Sequence, residues 1–165
     1  MVEPMAVSGI LAELFSDLNS CSYLFLREAG ETIEFSLRLM IEEGVALPEA
    51  TPIEVCGVSL GSGHNVTSGE NTRLFEVCWD SYVAYSVTNE SFANGVDETD
   101  KFELGNLVRV YSKSNFLEYV RKATLASDEY PGPLQHIGII CEWHVIDVIS
   151  TSLPTVKKLR SAHRD

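Results

Sequence analysis

Ile33, Phe35, Leu37, Leu39 and Ile41 alternate with Glu34, Ser36, Arg38, Met40 and Glu42. A period of two over this length predicts a strand with one dry and one wet face, burying Phe35, Leu37 and Leu39 while Glu34, Ser36 and Arg38 meet water. The preceding Tyr23–Arg27 run is a fitting partner, joined through Glu28-Ala29-Gly30-Glu31 as a hairpin. Half-buried alternation of this kind favours an antiparallel sheet.

Helical spacing occurs in two places. Ile10, Leu11, Leu14, Phe15 and Leu18 predict a helix over Ser8 to Leu18, with Ser8 as N-cap. Ser114 is placed to cap a second helix, with Phe116, Leu117, Val120 and Thr124 on one side and Glu118, Arg121 and Lys122 on the other.

Between these helices the chain reads as strands and loops. A Pro-bearing loop is expected over Gly44 to Pro52, a strand over Ile53 to Leu60, and an exposed Gly-rich loop over Gly61 to Asn71. Leu74–Trp79 and Tyr82–Val87 read as strands meeting at Asp80-Ser81, in a tight turn or a bulge. Asn89 to Glu103 is acidic and irregular, and Leu107–Tyr111 is another strand. After a turn-rich break at Asp128–Pro133, His136–Cys141 and Val145–Ile149 form a final hairpin. Pro154 then suits the first turn of a closing helix carrying Lys157, Lys158 and Arg160.

Together these elements predict an α+β fold, a mainly antiparallel curved sheet of about seven or eight strands with two or three helices packed on one face. At 165 residues and 45% hydrophobic, the chain suffices for a single globular domain spanning residues 1–165 with its own core. The first residues lack the basic leader of a secretory signal, and no run reaches the ~18 apolar residues of a membrane span. A cytoplasmic protein without membrane contact is expected. Cys21, Cys56, Cys78 and Cys141 match no disulfide framework and read as free, buried thiols.

Charge sharpens this picture. Residues 1–108 hold 18 Asp and Glu against 4 Lys and Arg, whereas residues 109–165 hold 6 against 8, for a net −12 overall. Phosphate binding needs a basic footprint, so nucleic acid is not an expected partner. A basic protein is the partner this charge suits, through electrostatic steering.

No motif completes a catalytic, metal or cofactor site, and no cofactor is expected. GVSLGSGHNVTSG lacks the Lys-Ser or Lys-Thr of a phosphate loop and has Val66 where a dinucleotide fingerprint needs Gly. Gly57-Val58-Ser59-Leu60-Gly61 matches a nucleophile elbow in letters, but the following Ser62-Gly63-His64-Asn65 starts a helix poorly. Cys141 and His144 with His136 lack paired zinc spacing; His136 and Cys141, five apart on one strand, would face opposite ways. Asp97-Glu98-Thr99-Asp100 lacks the Gly and closing Glu of a calcium loop.

What remains is a set of candidate partner contacts. Asp80 and Glu90 are candidate anchors flanked by Tyr82 and Tyr85, whose rings could bury area at small entropic cost. Asp97, Glu98, Asp100 and Glu103 crowd one acidic loop. The expected function is an acidic binding protein, of the inhibitor or immunity type, that captures a basic partner. The alternative is a small enzyme or ligand-binding domain with a pocket between sheet and helices, drawing polar contacts from Asp80, Tyr85, Glu90 and His64. A structural oligomer would instead show an exposed apolar sheet face.

Overall fold

The computed structural model describes residues 4–69, 71–95 and 97–159. The chain is α+β, as expected, but its strands divide between two antiparallel five-stranded sheets rather than forming one. Two helices, α1 (Pro4–Leu14) and α2 (Ser16–Asn19), lead into the first sheet. Its strands are β1 (Tyr23–Gly30), β2 (Leu37–Val55), β3 (Val58–Thr67), β4 (Leu74–Trp79) and, from the far end of the chain, β10 (Thr155–Leu159). The order is β1-β2-β4-β10, with β3 paired to the outer half of β2. The second sheet uses β5 (Ala84–Asn89), β6 (Lys101–Glu103), β7 (Val108–Lys113), β8 (Gln135–Ile140) and β9 (His144–Ser150), in the order β5-β9-β8-β7-β6. Helix α3 (Asn115–Ala123) lies between β7 and β8 in the chain.

The core is the space between the sheets. Leu37, Leu39 and Ile41 of β2 and Phe75, Val77 and Trp79 of β4 meet Val108, Ile137, Ile139, Ile146 and Val148 from the second sheet, all fully buried. Leu11, Phe15 and Leu18 from α1 and its continuation join the same cluster. A second cluster lies on the other face of the second sheet, where Leu117 and Val120 of α3 pack with Ala126, Leu134 and Ile149. The helices therefore serve different faces, because α3 covers the side that Ile149 presents and Val148 does not.

Several sequence expectations need correction. The first helix begins at Pro4, so Ser8 lies inside it and not at its N-cap position. Alternation is regular only from Leu37; Phe35 has φ 63°, and Ile33 and Phe35 are exposed in the turn before β2. Strand β2 runs straight through the expected Pro loop, with Pro52 opposite Ser62. Pro48 falls where the register shifts, between Ala46 and Ala50, a position that needs no ladder N–H. The turn instead falls at Cys56-Gly57, both with positive φ, and Gly61 to Thr67 of the expected Gly-rich loop belong to strand β3. Cys56 is consequently exposed at a hairpin tip, while Cys21 and Cys141 are buried; all four cysteines are free. Asp80-Ser81 is neither a hairpin turn nor a bulge: β4 and β5 belong to different sheets, and the chain crosses between them there. Past Pro154 the chain forms a strand and not a helix, because β4 offers a free edge and Val156 packs on the core.

Candidate functional site

The outer face of the second sheet carries a polar cleft of about 750 Å³ beside α3. Register explains its floor. His136 sits opposite Tyr111 on β7 and Ile149 on β9, and Asp147 sits opposite Gly138, so His136, Tyr111, Asp147 and Arg109 share the face away from the core. The walls are the first turn of α3 and the connection from Glu90 to Asp100.

Ser114 caps α3 as expected, its Oγ accepting the N–H of Leu117 at 3.0 Å. The Asp147 carboxylate can only accept, so His136 presents Nε2–H to its Oδ1 at 2.8 Å, and Nδ1 of that tautomer accepts the Ser114 hydroxyl at 2.7 Å. His136 is 2% exposed and Ser114 4%. Tyr111 stacks on the imidazole, with centroids 4.3 Å apart and planes 14° apart, and Phe116 meets it edge-on at 5.6 Å. One continuous hydrogen-bond chain thus links the cap of α3 to the carboxylate on the cleft floor.

The acidic connection is docked on the same helix. Asp97 accepts the backbone N–H and the hydroxyl of Thr99 at 2.8 and 2.7 Å, and Asn115 Nδ2 donates to its second oxygen at 3.1 Å. These donors, the Thr99 amide first, hold its carboxyl below the usual range. Asp100 accepts the N–H of Asn115 at 3.4 Å, so both carboxylates stand at the positive end of α3. Across the cleft the Glu90 N–H donates to the Trp143 carbonyl at 3.0 Å. Glu90 lines both the cleft and an adjoining recess of about 220 Å³.

Among the described residues the lining therefore carries four carboxylates, Glu90, Asp97, Asp100 and Asp147, against one guanidinium, that of Arg109. Arg109 rests over the Phe102 ring at 4.8 Å, and its Nε is buried with no hydrogen-bond partner among the described residues. Ser114, His136 and Asp147 stand in the order of a nucleophile, base and orienting acid. The surroundings argue against that chemistry. Ser114 is buried and committed to its cap, and Asp100 already occupies the first helical amide, where an oxyanion would need a donor. Negative charge developing here would face four carboxylates; positive charge is what the cleft favours.

Of the acidic and aromatic residues singled out by sequence, Glu90, Asp97 and Asp100 come together around this cleft. Glu98 and Glu103 do not line it; Glu103 lies on β6 opposite Val110. Asp80 is exposed in the crossover between sheets. Tyr82 donates its hydroxyl to Glu31, which pushes that hydroxyl up to about 12, and its ring meets Tyr85 edge-on at 5.1 Å. Neither tyrosine lines the cleft, and His64 lies on β3, its Nδ1 2.8 Å from the Leu47 carbonyl oxygen. Sequence reading missed Arg109, Tyr111, Ser114 as a cleft residue, His136 and Asp147. The signal available was parity: His136 and Cys141 do point to opposite faces, and the outward one meets Asp147 across the β8–β9 hairpin and Tyr111 on the more distant β7.

Among the described residues no group of three His, Cys, Asp or Glu side chains is placed to hold a metal ion, and no helix is long and apolar enough to cross a membrane. Comparison with protein-family models, with curated proteins and with solved structures finds no match to this chain.

Proposed function

We propose that this protein binds a basic protein partner, as an inhibitor or immunity-type protein would, and takes a cationic side chain of that partner into the cleft. The supporting observation is the gathering of Glu90, Asp97, Asp100 and Asp147 around one concavity, three of them on a connection braced against α3. Tyr111 and Phe116 add aromatic surface on which a guanidinium or ammonium group can rest. The chain's net −12 would steer a basic protein toward this face, with an association rate that falls as salt rises.

The test is affinity capture from the native lysate at low and high salt, with the wild-type chain and with Glu90→Gln/Asp97→Asn/Asp100→Asn. A basic protein retained by the wild type at low salt, and lost with either high salt or the triple substitution, supports the reading. Retention that ignores both salt and the three substitutions would overturn it.

A second reading, a small-molecule site, draws on the cleft's size, which falls within the range of ligand pockets. Calorimetry with a free arginine derivative separates the two: a small-molecule site would bind the isolated cationic group, whereas a protein-docking cleft needs the surrounding surface as well.

A further inference from the structure

We propose that two copies of this chain associate through the arm formed by the outer half of β2 and β3, packing one apolar side of each arm against the other. Beyond Gly44, strand β2 loses β1, and from Val45 to Val55 its one partner among the described residues is β3. Strand β3 in turn pairs with nothing but β2 among the described residues. The arm projects roughly 35 Å at the usual strand rise. A two-stranded ribbon is marginal by itself and cannot bury its own face.

That face is specified by register. Thr51 lies opposite Gly63, Ile53 opposite Gly61, and Val55 opposite Val58, so these residues share one side. The pairs flanking the first bulge, Ala46 with Val66 and Ala50 with His64, advance both strands by an even number of residues, so the faces keep their identity across it. A second shift, between Ile53 and Glu54, puts its extra residue, Leu60, on β3, so Ile53 and Val55 stay on one side of β2. The stripe that buries Leu37, Leu39 and Ile41 therefore continues outward through Ile53 and Val55, past the point where the second sheet covers it. Ile53, Val55 and Val58 are 43%, 53% and 60% exposed. Ile53 leans over Gly63, where a Cβ would come within 2.9 Å of Ile53 Cδ1, and a Cβ on Gly61 would meet nothing within 4 Å.

Charge selects the occupant. Residues 45–67 contain two charged side chains, Glu49 and Glu54; alternation turns Glu54 away from the apolar side, and Glu49 sits in the bulge. Copies of a chain with net −12 repel over most of their surface and meet at least cost where it is neutral. A basic partner gains nothing electrostatically from such a side, whereas a second copy buries apolar area on both members at once. The free edge of β2 carries Pro48, Pro52 and Glu49, which discourage strand addition there. Addition at the outer edge of β3 would use backbone hydrogen bonds and not the apolar side, so variants of the two sides tell the two contacts apart.

Sedimentation of the full chain at micromolar to sub-millimolar concentrations tests this. The wild type is expected to dimerise. Ile53→Thr/Val55→Thr/Val58→Thr keeps β-branched residues, and so the strand, but should weaken the dimer roughly tenfold or more. Ala50→Lys/Ser62→Lys places charge on the other side of the arm and should leave dimerisation intact. Thermal unfolding under dilution, where the wild type is monomeric, should be nearly unchanged in both variants, since the arm lies outside the core. Three results would overturn the proposal: a wild type monomeric throughout, a dimer that survives the threonine variant, or a dimer abolished by the lysine variant too, which would indicate edge-to-edge strand addition.

Discussion

A methyl group on Gly138 would lie 2.8 Å from Cε2 of Tyr111. Gly138 stands opposite Asp147 in the β8–β9 ladder and opposite Arg109 in the β7–β8 ladder, so its missing side chain leaves the room that Tyr111 needs to lie flat on His136. The ring is held on its other flank by Phe102 at 5.4 Å and cannot simply swing clear. Gly138→Ala should therefore cost about 1–3 kcal/mol as an overpacking change. Urea unfolding measures the cost, and the His136 ring resonances should shift as Tyr111 lifts away.

The cap of α3 and the cleft floor should fail together. Ser114→Ala removes the acceptor for Leu117 and should cost about 1 kcal/mol. His136→Ala should cost more, about 2–4 kcal/mol, because it opens a cavity beneath Tyr111 and strips Asp147 and Ser114 of their common partner. If the double substitution cost the sum of the two single ones, the hydrogen-bond chain would not be acting as a unit.

Acid should reveal a different pair. Arg73 holds Glu43 through Nε at 2.9 Å and Nη2 at 2.7 Å, and this grip keeps the Glu43 carboxyl below its ordinary 4.5. A carboxyl depressed by folding adds stability above its unfolded pKa and loses that contribution as pH falls through the lower folded value. Glu43→Gln should be less stable than the wild type at neutral pH, with the gap steady down to about pH 4.5 and closing below it. A gap that widened on acidification would show that Arg73 does not act on Glu43 in this way.

The cysteines should sort by position. Cys56 is exposed at the tip of the arm and should react with a thiol reagent in the native protein, whereas burial pushes Cys141 up to about 12 and Cys21 to about 11. Those two should react on the unfolding timescale only. Rapid native labelling of Cys141 would mean that the turn before His144 opens readily.

Leu37→Ala should cost roughly 2–5 kcal/mol and Phe35→Ala under about 1 kcal/mol, although both occupy the apolar phase of one alternating run. The difference marks where that run stops being a strand, and denaturant titration of the two variants reads it directly.

The parts of the fold that were legible in sequence are those decided within a few residues. Leu37 to Ile41 alternates because both neighbours, β1 and β4, hold β2 flat against the core, and Ser114 caps α3 because its side chain needs only the next turn. The misreadings share a cause. Pro48 and Pro52 look like breakers until β2 is known to have a bulge and a free edge there, and Cys56 gives no sign of a left-handed turn residue. Thr155–Leu159 becomes a strand only because β4, far back in the chain, presents its edge. The cleft divides the same way. Glu90, Asp97 and Asp100 drew notice through local acidity, but Arg109, Tyr111, His136 and Asp147 meet only once three strands are in register.

The placement of β10 beside β4 also sets an order of events. The whole second sheet, from Ala84 to Ser150, is made between the synthesis of those two neighbours. While the chain is being made, the edge of β4 that will receive Thr155–Leu159 stays open, with Phe75, Val77 and Trp79 waiting on the same strand for their cover. Pairings so distant in sequence are slow to form, so the nascent protein spends its longest vulnerable interval with a bare strand edge. That edge closes only when the residues through Leu159 have been added. A chain interrupted just before Thr155 would hold nearly every core residue and still present an aggregation-prone template.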